Sequence, residues 1–459
     1  MLWDSIFHQY DIRGIYPTQL NEETYYILGC ALATYLAVDK IAVGHDTRLS
    51  SPSLFKALIK GIISQGVDVV SLGLISTEIN YFASGKYGFP ANAIITASHN
   101  PAEYNGLKIV TRGVVPLHGD FGLPQIKKLA QENNFSVSAK KGKIVKMDIL
   151  NDWITHTLKF IKPNKLKSLR VVIDAGNGMG GISWKKLIEK LPIEIIPMYF
   201  EPDGHFPHHL PDPLKQENVS DLKREIVNQK ADLGMAIDGD ADRIFIVDET
   251  GKQLSGTITT AILASYLLQK YGPSPILYNA VCGKIVPDSI SANGGKSIRT
   301  RVGHSYIKEY MKKENALFAG EHSGHFYFRD NFFADSSTIA GLIFLEYLSK
   351  ENMPLSQVAA KFDKYKSSGE INYVVSNLSK QAGSDIVIQS IENKFKDAES
   401  IDHIDGLSVW FPDWWFNLRA SNTEPMVRLN MEADSKEILD DKLYIVENEL
   451  NILGAHKNE

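Results

Sequence analysis

The sequence predicts an α/β protein of three successive units followed by a smaller α+β domain. Three observations carry this. Short apolar strands alternate with helices of 10–15 residues, which signals layered α/β structure. That pattern restarts twice, near residues 151 and 252. After residue 369 it gives way to closely spaced strands and one long helix, the mark of an antiparallel sheet with helices on one face. The expected domains are 1–150, 151–251, 252–368 and 369–459.

Composition narrows the class. A length of 459 residues suggests about three domains. Hydrophobic (44%) and charged (22%) fractions are ordinary for a globular protein. A net charge of −5 gives no basic field for nucleic acid. Cys30 and Cys282 lie far apart, which suits a reducing compartment rather than a disulfide scaffold. The segment Met1 to His8 reads as neither signal nor transit peptide, and no apolar run reaches 18 residues. A cytoplasmic enzyme without membrane or nucleic-acid partners is expected.

In the first unit, Tyr10 and Arg13 fall in a probable turn before a helix at 22–37. Strands follow at 41–44, 67–70, 92–96 and 107–110, with a helix opening at Pro52. The 92–96 strand runs into Thr96-Ala97-Ser98-His99-Asn100-Pro101. Asn-Pro breaks the strand, so Ser98 is expected at its carboxyl end, where open α/β sheets bind ligands. A serine there is either an ordinary turn residue or a nucleophile that needs a base, a metal or a charge.

The second unit opens with a helix at 151–161 and a strand at 170–174. Gly176, Gly178 and Gly181 then spell GxGxxG before a helix. Pro192 interrupts the segment that should supply an acidic partner near Glu194, so a plain tight turn is favoured over a dinucleotide site. His205, His208 and His209 crowd one loop without a usual metal spacing and read as solvated. The strand 232–238 ends in Asp238-Gly-Asp240-Ala-Asp242-Arg243. Three carboxylates at alternate positions suit a hard divalent cation. An EF-hand would need glycine where Arg243 stands and helices where strands flank the loop.

The third unit carries a buried helix at 258–269, a strand at 275–278, a helix led by Val302-Gly-His304-Ser305, and a strand at 316–319. That last strand ends in Gly320-Glu321-His322-Ser323-Gly324-His325, and helices at 336–348 and 355–362 close the unit. The order is neither HExxH nor GxSxG. Glu, Ser and His at a strand end can hydrogen-bond vicinal hydroxyls. In the last region, strands at 371–375, 407–411, 415–418 and 427–431 precede a helix at 436–450. Arg419-Ala-Ser421-Asn422-Thr423-Glu-Pro lies between two of the strands, with Arg428 close behind. An arginine, two hydroxyls and an amide in a turn make a phosphate cradle or, more plainly, a polar hairpin.

In this order, TASHNP, DGDADR, GEHSGH and RASNTEP resemble the phosphoserine, metal, sugar and phosphate loops of the α-D-phosphohexomutase family. Tyr10-Asp-Ile-Arg-Gly14, Asn105-Gly-Leu-Lys108 and Val302-Gly-His-Ser305 match too, so the resemblance spans almost the whole chain. It implies three related α/β domains and a fourth α+β domain around one cleft. It further implies a phosphoserine at Ser98 and Mg²⁺ held by Ser98, Asp238, Asp240 and Asp242. Glu321 and Ser323 would grip the sugar. Arg419, Ser421, Asn422, Thr423 and Arg428 would hold the distal phosphate. Arg13, Lys108 and Arg243 would contact the phosphoserine side, with Tyr10 and His304 in the cleft. Either His325 or Lys108 would be the general acid–base. The substrate would be a hexose phosphate, a hexose 1,6-bisphosphate the intermediate and activator, and the enzyme a monomer or homodimer. SNTEP and the ending Trp415 to Asn430 tilt the expectation to mannose phosphates and supply of GDP-mannose, with glucose or glucosamine phosphates as alternatives. His322 departs from the methionine common in the mannose enzymes. A metal-dependent sugar phosphatase and a calcium-binding protein are the remaining readings. A hinge is expected near 365–370.

Overall fold

The computed structural model describes residues 2–375, 380–421 and 426–458, apart from the side chains of Leu2 and 380–382. Four sheets organise them. In the first, Lys40–His45, Asp68–Leu74 and Ala91–Ile95 run parallel, and Tyr104–Thr111 returns antiparallel beside Ala91–Ile95. The sheet order is Ile12–Ile15, Tyr104–Thr111, Ala91–Ile95, Lys40–His45, Asp68–Leu74, Ile144–Lys146. Ile12–Ile15, read from sequence as part of a turn, is an edge strand: Arg13 is opposite Gly106. Four residues give too short a pattern to be seen without the partner.

The second sheet is Ile244–Asp248, Leu233–Ile237, Arg170–Asp174, Glu194–Met198, with the first strand antiparallel to the rest. The third is Lys296–Thr300, Pro275–Asn279, Phe318–Gly320, Phe326–Phe328, Ala334–Asp335. The fourth is wholly antiparallel, with Trp414–Ala420 and Met426–Ala433 at its centre and Lys366–Val375 beside them. The helices Lys380–Lys394 and Lys436–Ile452 accompany it. The first of these was not evident in the sequence, whose apolar positions there are sparse.

Helix Ser337–Leu348 is buried along its whole length. Its Ile339, Leu342 and Phe344 share one core with Phe82, Trp153, Trp184 and Ile244 from the first two units. Burying such side chains contributes about 1.5–3 kcal/mol each. Packed interiors deform little, so this shared core holds the strand ends of three sheets in fixed relation. The fourth unit has a separate core built on Phe416, Leu418, Leu429 and Leu450. It meets the third through polar contacts: Arg299 reaches Asp402 at 2.6 Å and Ser408 at 2.8 Å, and Val302 donates to Asp405 at 3.2 Å. No helix of the described residues is long and apolar enough to cross a membrane.

Candidate active site

Ser98 sits just past the fully buried strand Ala91–Ile95, in the left-handed region with φ 51°. Few non-glycine residues adopt this conformation unless their surroundings impose it. Thr96 Oγ1 accepts the Ser98 N–H at 3.0 Å. Arg48, fully buried, donates to the carbonyls of Ser98, Asn100 and Tyr104 at 2.8, 2.6 and 3.0 Å, and also to that of Pro101. Asp46 lies 3.3 Å from its Nε. One guanidinium thus fixes the whole loop. Sequence reasoning missed Arg48, because four backbone acceptors leave no side-chain motif.

Asp238, Asp240 and Asp242 are all buried, each offering an oxygen within 4.8 Å of the others. The loop is held by local bonds: Asp238 Oδ1 accepts the N–H groups of Asp242 and Arg243, both at 3.1 Å. Neighbouring helices hold it from outside. Thr77 donates its N–H to the Asp240 carbonyl at 3.0 Å, and Ser337 Oγ reaches the Ala241 carbonyl at 2.7 Å. Ser98 Oγ donates to Asp238 Oδ2 at 2.9 Å, which joins the two loops.

The glycine-rich turn proves to be packing. A side chain at Gly178 would lie 2.6 Å from the Gly239 carbonyl, and one at Gly239 would lie 2.5 Å from the Ser98 carbonyl. Three backbones stack there, which only glycine permits. The histidine loop covers the same region, and the expectation of solvated histidines fails for one of the three, His209, while His208 is exposed. His209 Nε2 lies 3.0 Å from the buried Asp174, and His208 bonds Asn177 at 2.7 Å while stacking on Tyr199. Packing between loops of one unit, invisible to spacing rules, decided this. His205 is exposed.

Lys108 Nζ bridges Asp240 Oδ2 at 2.7 Å and Asp242 Oδ2 at 2.6 Å. Burial alone would lower its pKa, but the two carboxylates outweigh that and keep it an ammonium. Burial, then the charges of Asp242 and Asp240, push the Asp238 carboxyl well above the usual range. Burial pushes Asp242 the same way, yet Lys108, His325 and Arg243 outweigh it and hold Asp242 well below. Asp240 Oδ1 and Asp242 Oδ1 are buried without a hydrogen bond, the second with only His325 Nε2 at 3.4 Å and Arg243 Nε at 3.9 Å near it. Buried carboxylate oxygens without hydrogen bonds are costly. Two of them beside a third carboxylate and a serine hydroxyl form an all-oxygen donor set that fits a hard divalent cation.

The third unit closes on this cluster. The backbone of Arg243 bridges that of His325, and the Arg243 Nε lies 3.2 Å from His325 Nε2. His325 Nδ1 is 3.0 Å from Ser323 Oγ and 3.4 Å from Glu321 Oε1. Glu321 is further fixed by the hydroxyl of Tyr327 and by Asn279 at 3.2 Å, two residues that sequence reasoning did not single out. His304 lies between Tyr10 and His325, its ring tilted against both at 5.8 and 6.3 Å between centroids. Burial, then Lys308 and Lys108, hold its imidazole well below its ordinary pKa, so it is neutral. Tyr10 donates to the Val302 carbonyl at 3.1 Å. Arg13 bonds Asn100 and Asp11 beside the serine loop.

In the fourth unit, Arg419 and Arg428 face each other across adjacent strands, and both bond Glu370. Ser421 donates its N–H to the Met426 carbonyl at 2.9 Å. Asn422 and Thr423 lie outside the described residues. Burial lowers the His322 pKa, with Glu370 raising it and Arg419 lowering it further.

A buried serine against three carboxylates, with lysine, arginine and histidine closing around them, is a candidate site for phosphoryl transfer. Models of the phosphoglucomutase/phosphomannomutase alpha/beta/alpha domains I, II and III match residues 4–136, 151–251 and 255–365, and the C-terminal domain model matches 370–442. The chain belongs to the phosphoglucomutase/phosphomannomutase family and is an enzyme, an isomerase of phosphohexoses. It is 37% identical to the phosphomannomutase of Escherichia coli over 437 residues, 93% of this chain and 94% of that protein. It is 37% identical to that of Methanocaldococcus jannaschii over 454 residues, 98% of each. The crystal structure of a family protein from Burkholderia thailandensis superposes with a TM-score of 0.90 at 29% identity, covering 99% of both chains. The phosphoglucomutase of Paramecium shares the fold, with a TM-score of 0.79 at 17% identity over 97% of this chain and 94% of that one.

Proposed function

We propose that this enzyme interconverts mannose 6-phosphate and mannose 1-phosphate through a phosphorylated Ser98 and a hexose 1,6-bisphosphate, and so supplies GDP-mannose synthesis. The domains divide near residues 150, 251 and 368. The observation that carries the reading is the Ser98 hydroxyl against Asp238 Oδ2 at 2.9 Å, inside a cluster where Asp240 Oδ1 and Asp242 Oδ1 lack hydrogen bonds.

Asp238, Asp240, Asp242 and Ser98 would hold Mg²⁺, which as a bound cation offsets charge on the transferring phosphoryl group. The residues of the chain do the rest. A hydroxyl of the bound hexose phosphate attacks phosphorus as the Ser98 Oγ–P bond breaks. Lys108 is committed as an ammonium to two carboxylates, so the hydroxyl proton goes to His325, oriented through Nδ1 by Ser323 and Glu321. Arg13 and Arg243 steady the phosphoserine side. Glu321 and Ser323 hold sugar hydroxyls, with Tyr10 and His304 beside them. Arg419, Ser421, Asn422, Thr423 and Arg428 retain the phosphate that is not reacting. The bisphosphate then turns over in the cleft and returns its other phosphate to Ser98, and added bisphosphate keeps the serine charged. The enzyme works in the cytoplasm as a monomer or homodimer.

Phosphorus NMR tests this with Mg²⁺ and a trace of glucose 1,6-bisphosphate. Mannose 1-phosphate should give the 6-phosphate, faster than glucose or glucosamine 1-phosphate, and Ser98→Ala should give none. Release of inorganic phosphate, or full activity in the variant, overturns the phosphoserine course.

A further inference from the structure

Arg419 and Arg428 stand directly opposite each other on neighbouring strands. Like charges so placed repel unless something lies between them. Here it is Glu370, on the adjacent strand opposite Asn430: Oε2 accepts Arg419 Nη2 at 2.7 Å and Oε1 accepts Arg428 Nη1 at 3.2 Å. One carboxylate offers one oxygen to each guanidinium, as a phosphate can with more oxygens and more charge. It satisfies only part of the pair, because the Nε atoms of both arginines are buried without a partner. The strand bearing Glu370 breaks register between Ser367 and Glu370, and Gly369 there has φ 67°.

We propose that Glu370 is a positioning residue that stands in for the substrate's distal phosphate. This rests on the reading of Arg419 and Arg428 as part of the phosphate site. The carboxylate keeps the arginine pair ordered when the cradle is empty, yields when a phosphate arrives, and re-pairs when it leaves. The proposed course needs such a device. The bisphosphate must let go of the cradle in mid-turnover, turn, and present its other phosphate. A cradle of arginines alone would hold its first phosphate and slow that exchange. Glu370 weakens the bound state and stabilises the vacated one, so the phosphate is held loosely enough to turn.

The test separates this idea from the reading beneath it. Calorimetry with mannose 6-phosphate on Ser98→Ala enzyme measures binding without transfer. Arg419→Gln in that background should weaken binding, and if it does not, the phosphate-site reading itself is wrong. Glu370→Gln should tighten binding by about tenfold, as removal of one nearby negative charge in a partly screened site implies. In the Ser98 enzyme the same change should lower KM and lower kcat together, a split that simple structural damage does not produce. Glu370→Asp, whose shorter carboxylate reaches less of the pair, should fall between. Arg419-dependent binding that is unchanged or weaker in both Glu370 variants overturns the placeholder.

Discussion

The Ser98 hydroxyl meets Asp238 Oδ2 at 2.9 Å across a junction between two α/β units, and Gly239 packs on the Ser98 carbonyl at the same junction. Ser98 and the candidate cation site are therefore one rigid object. Its position depends on residues behind it as much as on those that bear the chemistry.

Cation binding should be visible as stability. The acidic cluster is buried and borders the shared core through Ile237, Ala241 and Ile244, and an ion that binds only the folded state adds about 2.7 kcal/mol at a hundredfold excess over its Kd. Mg²⁺ should raise the unfolding midpoint by a few degrees, chelator should reverse it, and Asp240→Asn should abolish it. Scanning fluorimetry reads this without any substrate. An identical midpoint with and without Mg²⁺ would remove the metal site from the proposal.

Glu78 should give the enzyme a pH-dependent weakness. It is fully buried and takes hydrogen bonds from Ser336 Oγ at 2.6 Å, Thr338 N at 3.1 Å and Oγ1 at 2.6 Å, and Ser183 at 3.4 Å. Burial pushes its carboxyl up to about 7 from 4.5, although these bonds pull the other way. A pKa raised by folding means the native state holds the proton more tightly. The associated stability is complete below 4.5 and is lost as pH rises through 7. Glu78→Gln cannot lose it. Denaturant curves of the two proteins should diverge by about 3 kcal/mol between pH 4.5 and 8. Parallel curves would show that Glu78 is ionised throughout.

Gly178→Ala should disturb catalysis from a distance. The added methyl would meet the Gly239 carbonyl at 2.6 Å and its Cα at 2.8 Å. Overpacking of this kind costs about 1–3 kcal/mol. It moves the backbone that positions Asp238 and Ser98, so kcat should fall by about a hundredfold with little change in KM. Steady-state kinetics decide, and a KM effect alone would point to the sugar side instead.

Arg48→Lys should show what the left-handed turn at Ser98 depends on. An ammonium has three donors where the guanidinium serves four carbonyls and faces Asp46. A carbonyl left unpaired costs about 1–3 kcal/mol. The extent of Ser98 phosphorylation by hexose 1,6-bisphosphate, read by intact mass, should drop sharply while calorimetric binding of mannose 6-phosphate persists. Full phosphorylation would mean that Thr96 and Asp46 hold the loop unaided.

Sequence by itself determined the class of fold and the chemistry-bearing loops. Alternating strand and helix patterns report which backbone faces are apolar, and that information is local. Ser98, the three aspartates of 238–242, Glu321 and His325 stand at strand ends whose residue types already limit what they can do, and Arg419 closes the strand Trp414–Ala420 beside another such turn. Only the tertiary structure decided how these loops are held and balanced. Arg48 acts through backbone carbonyls, Glu78 through hydroxyls of helices more than a hundred residues away, and Gly178 through the absence of a side chain. The edge strand Ile12–Ile15 exists because Tyr104–Thr111 pairs with it. Glu370 gains meaning only when three strands bring it between two arginines. Such roles are set by distances between segments remote in the chain, and one sequence read along its length carries no measure of them.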